Sequence, residues 1–467
     1  MAKTLDRDIE AFQAGFGGTV LTPGDENYED ARSVWNGAID RRPAVIALCS
    51  SAEEVASAIR FARERNLEIA VRGGGHNYSG NAVCDAGLMI HLGRMNSVAV
   101  DPARRLVVCG GGATWAEVDA ATQEHGLAVP GGFISHTGIG GLTLGGGIGW
   151  LTKLAGLSCD NLVGVEVVTA DSRILHASAN EHPELFWAVR GGGGNFGVVT
   201  SFEFALHDVG PMVNLGLFFW GLDVGTEALR LSGAFLPTLP ADATGFIGVG
   251  LSAPPAPFVP EQYHFRPGHA LLVVGFGSPE SHAEIVAPIR AGLPPLFELV
   301  TPIPYVALQQ MFNESAAWGT LGYEKALYLD ELSDGVLSVI AEHAPKKSSP
   351  LSFCPTFLMA GAYTQVADHD TAFGGSRSAG FVFNIGAAAP TPELYEADRA
   401  WVRAFWEAMR PHASGSGGYV NFQADADQDR VRASYGADKY ARLSRIKAEY
   451  DPENIFHLNA NIVPANT

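Results

Sequence analysis

Residues 135–162 read SHTGIGGLTLGGGIGWLTKLAGLSCDNL, and the glycines that punctuate this stretch decide the fold. Glycine at such density loses more backbone entropy on folding than any other residue, so its use lies in letting main chain approach a ligand or adopt φ > 0. Three further clusters flank it: RGGGHNYSG at residues 72–80, the triplet at 110–112, and GGGGNFG at 191–197. The chain holds 55 glycines in 467 residues, ~12% against an average near ~7%. One cluster alone reads equally well as a tight turn between strands. Four clusters interleaved with apolar, strand-like runs read as bare backbone gathered against one large ligand.

The formal charge of −19, from 50 acidic and 31 basic side chains, repels phosphate backbones, and no basic patch offsets it; nucleic acid is excluded as a partner. A charged fraction of 17% lies below the average of about 25% and excludes a disordered chain. Cys49, Cys84, Cys109, Cys159 and Cys354 are scattered, odd in number and without a C-x-x-C pair. That pattern argues against a disulfide scaffold or structural zinc, and no metal is expected. Acidic residues occupy the N-terminus where a signal peptide would place an apolar core, and no apolar run approaches the ~18 residues of a membrane span. A cytoplasmic protein without a membrane partner is expected.

Outward from the glycine loops, the first part of the chain reads as α/β. Ser51 with Glu54, and Thr114 with Glu117, make capping boxes that open helices over residues 55–65 and 115–126. Short β-rich runs alternate with them: EIAVR at 68–72, LMIHL at 88–92, RLVVC at 105–109, LVGVEVVTA at 162–170, RILHA at 173–177 and VVTSFEF at 198–204. From about residue 208 to 415 the runs lengthen, as in NLGLFFWGL and HALLVVGF. They alternate with helical stretches such as 393–410, where Leu394, Ala397, Trp401, Phe405 and Ala408 share one face. The tail from Tyr419 returns to a polar helix over 433–450.

Walker-type, H-E-x-x-H and G-x-S-x-G motifs are absent. The one G-x-G-x-x-G, residues 192–197, runs into a strand pattern, whereas a dinucleotide fingerprint needs a helix there to hold the pyrophosphate. In VRGGGHNYSG a strand ends at Arg72, and the unobstructed N–H groups of Gly73, Gly74 and Gly75 can form an anion nest for a diphosphate; His76 and Asn77 follow at once.

Those residues, with the 135–162 stretch, LFWAVRGGGGNFGVVTSFEF at 185–204, YVNF at 419–422 and DPENIFHLNANIVP at 451–464, resemble the flavoproteins of the vanillyl-alcohol-oxidase type and, within them, the berberine-bridge-enzyme-like oxidoreductases. The resemblance implies an α+β fold: a PCMH-type FAD-binding domain of two subdomains over residues 1–207 (core about 39–207), and a substrate domain over 208–414 with an antiparallel sheet covered by helices. Residues 415–467 then return to the first domain. FAD is expected with its pyrophosphate on the loops at 72–80 and 138–149, contacted by Arg72, Gly73, Gly74, Gly75, Asn77, Ser79, Gly80, Thr137, Gly138, Gly141, Gly145 and Gly146.

In the family the first-motif histidine bonds covalently to the flavin 8α-methyl carbon, and His76 stands at that place; neutral imidazole is a competent nucleophile. Many relatives add a cysteinyl link, but the matching position is Ile134, which cannot form a thioether, and Cys159 lies too far along. A single, 8α-histidyl attachment is expected. Weaker inferences add Asp160 and Asn161 near the adenosine, Gly194, Gly197, Val198 and Val199 where main chain passes the flavin, and Asn459 and Asn461 in the closing motif. Each of these asparagines reads equally well as satisfying a turn, and His136 equally as an active-site group or a loop histidine bonded to a carbonyl.

The resemblance also implies hydride transfer to flavin N5 while a base removes a proton from a hydroxyl, amine or phenol. Tyr419 is the leading base, with Asn421 two residues along one face of an extended strand. Its reference pKa of ~10 requires a cationic neighbour, for which Lys325, Arg377 and His369 are candidates; the alternative is a packed aromatic with a tied hydroxyl. Glu324 is a second base candidate, although alternation can turn it away from the site. Small residues at Gly374, Gly375 and Ser376 are expected to leave room for substrate. The expected activity is oxidation of a small hydroxyl-bearing molecule (carbohydrate, alcohol or secondary metabolite), with amine or alkaloid oxidation, or a flavin carrier of low activity, as alternatives. Oxygen is favoured over other acceptors, with Thr137 controlling its access, and a monomer or homodimer is expected.

Overall fold

The computed structural model describes residues 2–415, 417–425 and 428–466. It is a mixed α+β fold built on three main sheets. In the first, strands run in the order Thr19–Leu21, Val45–Leu48, Leu88–His91, Ile69–Arg72. The last two pairings are parallel, because helix Ala52–Glu64 carries the chain across from Val45–Leu48 to Ile69–Arg72. Val55, Ile59 and Ala62 on that helix pack against Val45, Ala47 and Ile90 of the sheet. The Ser51 side chain accepts from Glu54 N at 3.3 Å, while Glu54 returns its carboxylate to Ser50 N, not to Ser51 N. Thr114 N donates to Glu117 Oε2 at 2.7 Å, as its capping box predicts.

The second sheet is antiparallel, in the order Val98–Asp101, Leu106–Gly110, Val198–Ala205, Leu162–Val168, Ile174–Ser178. Its central strand Val198–Ala205 alternates between core and half-buried positions from Thr200 onward. Gly197, at φ 149°, feeds it directly, so the G-x-G-x-x-G does open a strand.

A seven-stranded antiparallel sheet forms the other half, in the order Phe297–Pro304, Met212–Gly221, Pro267–Gly275, Ala243–Ser252, Cys354–Met359, Gly380–Ala389, Leu321–Leu329. One face carries Tyr323, Leu327, Ile247, Phe381 and Phe383 and packs on helices Gly225–Phe235, Asp334–His343 and Pro392–Met409. The other face carries Ala326, Tyr328, Phe246, Phe357 and Val382 and meets the glycine-rich half at Ile148, Trp150 and Leu157. Alternation therefore assigns each strand residue to the helices or to the interface.

Two readings shift. The buried stripe of Pro392–Met409 is Asp398, Trp401, Val402, Phe405 and Met409, with Ala397 exposed; Asp398 goes inside because its carboxylate accepts from Ser348 N, Ser349 N and Ser352 Oγ. The tail helix is broken at Gly436, φ 72°, into Gln428–Tyr435 and Ala437–Tyr450. Both halves join the core of the second sheet through Val431, Tyr435, Leu443 and Ile446. Lys447, fully buried, fastens this return by donating to Asn195 O, Asp451 Oδ2 and Phe456 O at 2.6–2.8 Å.

Candidate active site and cofactor cleft

Strand Ile69–Arg72 delivers residues 73–79, and the turn into helix Ile139–Leu144 delivers residues 137–145, to one cleft of about 960 Å³. That is the upper end for ligand pockets, roughly 300–1,000 Å³. Gly74 and Gly138 touch: a Cβ on Gly74 would stand 2.2 Å from Gly138 N, and one on Gly138 2.3 Å from Gly74 N. Both must be glycine for the loops to close. Gly141 is the opposite case, with nothing within 4 Å of its Cβ position and its edge on the cleft. The backbone N–H groups of Gly74, Gly75, His76 and Asn77 have no acceptor among the described residues.

His76 lies on the cleft wall between rings. Trp35 stacks on it at 5.3 Å and 19°, and Trp318 meets it edge-on at 5.9 Å. Its Nε2 is 2.7 Å from His136 Nδ1, which leaves Nδ1 as the ring nitrogen without a protein partner among the described residues. Burial first, then the neighbouring His136 and Arg72, push the His76 imidazolium down to about 3, so the ring is neutral across the physiological range.

The facing wall is the inner side of the seven-stranded sheet. Phe133 stacks on Phe357 at 4.6 Å and 16°; Phe246 lies 5.4 Å and Phe422 5.9 Å from Phe357, and Phe312 5.8 Å from Phe246. Leu351, Phe353, Pro355, Gly386 and Ala388 continue the apolar surface. Into it alternation turns Glu324, directly opposite Gly386, and Asn384, opposite Ala326. Asn384 Nδ2 donates to Glu324 Oε2 at 2.9 Å. Burial pushes the Glu324 carboxyl up to about 8, with Asn384 and Tyr78 drawing it back. The phenol of Tyr78, also on the wall, is pushed well above its ordinary value by burial and by the adjacent Glu324 carboxylate. Lys325 leaves on the helix side: Nζ pairs with Asp425 Oδ1 at 2.6 Å and lies 4.8 Å from the Trp406 ring centroid.

Comparison with known proteins joins these two walls to a family. Residues 43–178 match the FAD binding domain family and residues 418–463 the berberine and berberine-like family. The chain is 31% identical over 463 residues to (R)-6-hydroxynicotine oxidase of Paenarthrobacter nicotinovorans, covering 96% of this chain and 97% of the relative. The chain belongs to the berberine bridge-like FAD-linked oxidoreductases. The crystal structure of 6-hydroxy-D-nicotine oxidase from Arthrobacter nicotinovorans superposes with a TM-score of 0.83 at 27% identity, covering 97% of this chain and 99% of that one. Xylooligosaccharide oxidase from Myceliophthora thermophila, at 21% identity, covers 99% and 100% with a TM-score of 0.85 and shares the fold.

The cleft of this berberine bridge-like oxidoreductase fits FAD. Unpaired N–H groups at residues 74–77 suit a pyrophosphate, the open edge at Gly141 suits a planar ring, and the free His76 nitrogen has the chemistry of an 8α-ligand. Gly73, Gly74, Gly75, His76, Asn77, Ser79, Thr137, Gly138, Gly141, Gly145, Gly194, Gly197, Val198, Val199, Asn421, Glu324 and Asn459 all line the cavity, as does Ile134.

Other candidate residues stand elsewhere. Arg72 turns its guanidinium onto Ala31 O, His91 and the Trp318 ring, supporting the loop from behind. Gly80 packs on Ile39, and Gly146, at φ 127°, on Phe373 and Tyr419. Asp160 stands off the cleft: it holds Arg377 bidentately at 2.7 and 2.8 Å and caps Leu157 N. Asn161 bonds Ala155 O, Leu157 O and His207, the turn-satisfying alternative. Asn461 is off the wall, its carbonyl accepting from Gln428. His136 reaches the site only through His76.

Tyr419 is corrected most. Residues 420–422 form a single 3-10 turn, not an extended strand. The Tyr419 hydroxyl accepts from Gly147 N and Asn421 Nδ2, each at 2.8 Å, inside a core with Phe373 and Phe422. Burial raises its phenol far above the ordinary range. None of the expected cations serves it: Lys325 holds Asp425, Arg377 holds Asp160, and His369 is exposed beside Asp370. Nor do Gly374 and Gly375 open space, since their Cβ positions fall 2.4 Å from Ser434 O and 2.2 Å from the Tyr328 hydroxyl. Tyr78 and Asn384 were the residues not singled out, although Asn384 is the lone polar residue in GFVFNIG. That interruption of an apolar strand is the signal that would have found it.

No described helix is long and apolar enough to cross a membrane, and among the described residues no cluster of three or more His, Cys, Asp or Glu is placed to hold a metal.

Proposed function

We propose that this oxidoreductase oxidises a small molecule at a carbon bearing a hydroxyl or amine, with FAD attached through a single bond to His76 and oxygen as the terminal acceptor. FAD, when bound, supplies the hydride acceptor at N5 and hands its electrons on. His76 is suited to the attachment because His136 occupies Nε2 and burial keeps the ring neutral; His136 sets the imidazole orientation and accepts or returns its proton. Glu324 takes the proton of the oxidised hydroxyl or amine, with Tyr78 between it and the cleft. The observation that carries this reading is Glu324 itself, a buried carboxyl that, with Asn384, interrupts the apolar wall facing the glycine loops. It replaces Tyr419 as the proposed base. Thr137, small and on the wall, leaves oxygen room to approach. The five free, buried cysteines suit a reducing compartment.

Acid precipitation of the purified protein tests the attachment: yellow in the pellet and a flavinylated peptide containing His76 are expected. A colourless pellet with unmodified His76 would overturn the single-bond reading. Anaerobic reduction by substrate followed by reoxidation with oxygen faster than turnover supports the oxidase; reoxidation far slower than turnover assigns another acceptor.

A further inference from the structure

Resting on that reading, we infer that the substrate is an apolar ring compound, aromatic in the first instance, carrying one hydrogen-bonding hydroxyl or amino group at the carbon oxidised, and that it is bound in preference to oligosaccharides. The inference comes from what each wall of the cleft offers. The glycine loops offer main-chain N–H groups, which the diphosphate would consume. What remains for substrate is the inner face of the seven-stranded sheet and the segments laid on it. There, rows of inward-pointing residues run across the strands. Phe246 pairs with Phe357, and Phe357 with Val382; one row along, Asn384 stands opposite Ala326; beyond it Gly386 stands opposite Glu324. Phe133 and Phe422 add rings to the same surface.

The polar capacity of this face is concentrated at one end. Asn384 spends one of its two Nδ2 hydrogens on Glu324 Oε2, the Tyr78 phenol leans on the same carboxyl, and the buried acceptors Glu324 Oε1 and Asn384 Oδ1 have no direct hydrogen bond among the described residues. Two acceptors are open at that end, enough for the hydrogens of a single hydroxyl or amino group set beside the Tyr78 phenol. A saccharide carries a hydroxyl on nearly every ring carbon; Asn421 and Gln423 also line the cavity, but the hydroxyls turned towards Phe133, Pro355, Phe357 and Phe422 would find no partner on those side chains. A flat apolar ring meets the same surface with offset stacking and displaces water from it. Fold similarity to an oligosaccharide oxidase therefore does not carry its substrate to this chain, because the sheet is shared and the side chains projecting from it are this chain's own.

The test uses the flavin-loaded enzyme and reads binding apart from turnover. Perturbation of the flavin absorption band is titrated with benzylic and pyridyl alcohols, with the corresponding amines, and with glucose, xylobiose and chitobiose; reduction is then followed anaerobically. The expected result is saturable perturbation by an aromatic alcohol or amine at least about tenfold below the concentration needed for any sugar, and bleaching by the same compound. The alcohol and amine arms tell which group is oxidised. Phe133→Ala should weaken the aromatic ligand about tenfold and leave the sugars unmoved. A sugar that binds more tightly than every aromatic compound, or aromatic binding that Phe133→Ala does not change, overturns the inference while leaving oxidation intact. Aromatic binding without reduction by any compound overturns instead the proposed oxidation.

Discussion

One wall of the cleft is main chain and the other is side chain. The first is made by residues 73–77 and 137–145, where two glycine loops press backbone to backbone and turn N–H groups inward. The second is a sheet face on which alternate residues from four strands deliver phenylalanines, Asn384 and Glu324. Where the loops touch, at Gly74 and Gly138, the backbone wall tolerates no added atom, yet any chain that keeps the glycines can build it, so it suits a cofactor common to many enzymes. A side-chain wall accepts substitution at every position and so carries what differs between them. Substitutions on the two walls should therefore fail in different ways.

The largest effect is expected at the backbone wall. Gly74→Ala places a methyl 2.2 Å from Gly138 N, and neither backbone can yield without parting the loops. The variant should lose nearly all bound flavin, read from the ratio of absorbance near ~450 nm to that of protein, as for any oxidised flavin. Flavin retained at the wild-type level would mean the loops do not form the pocket.

On the side-chain wall, Glu324→Gln should keep its flavin and lower kcat by about 10²- to 10⁴-fold, the usual share of a general base. With the free carboxyl near 8, activity of the parent enzyme should rise with pH up to about that value and then level, because only the ionised form accepts a proton. The glutamine variant should lose this limb. A profile unchanged by the substitution would move the base elsewhere.

The two walls also differ in how far they could be read in advance. The glycine clusters are local in sequence, and their physical reason is local too, so backbone gathered against a ligand could be read from them, while the roles of His76, Thr137 and Gly141 come from the family resemblance. The strands that carry the clusters were legible locally as well, since alternation in VVTSFEF survives into Val198–Ala205. The sheet wall is non-local. Glu324 meets Asn384 through the register of two strands some sixty residues apart, and whether an alternating residue faces inward depends on which side the helices cover. Tyr419 was misread for a related reason. A motif tyrosine beside an asparagine has the residue types of a base, but Gly147 N, distant in sequence, ties its hydroxyl. Asp160 was missed as half of an ion pair because its partner, Arg377, lies in the other half of the chain.

Tyr419→Phe separates the structural role from the catalytic one. It removes an acceptor from Gly147 N and Asn421 Nδ2, which costs on the order of 1–3 kcal/mol of stability because two buried donors are left unpaired. The variant should unfold at lower temperature, keep its bound flavin, and lose no more than about tenfold in kcat with the pH profile in place. A loss as large as that of Glu324→Gln, with a flattened profile, would return the base to Tyr419.

The smallest effect separates the walls by stability alone. The titratable group on the backbone wall, His76, is held neutral from about 3 upward, whereas the side-chain wall holds a carboxyl whose value in the folded protein, about 8, lies above its ordinary 4.5. Such a group favours the fold while both states are protonated, below about 4.5. That contribution is lost as pH rises, because the unfolded chain releases its proton first and the folded one does not follow until about 8. Glu324→Gln stays neutral at every pH. Its melting temperature relative to the parent should therefore be nearly equal at pH 4, climb through neutrality and level off a few degrees higher by pH 9. The same substitution would lower activity and raise stability, the signature of a charge held in an apolar wall for chemistry at the expense of folding. A difference in melting temperature that does not change with pH would show that Glu324 titrates in the folded protein as it does in the unfolded chain, and with it that the sheet face is wetter than its phenylalanines suggest.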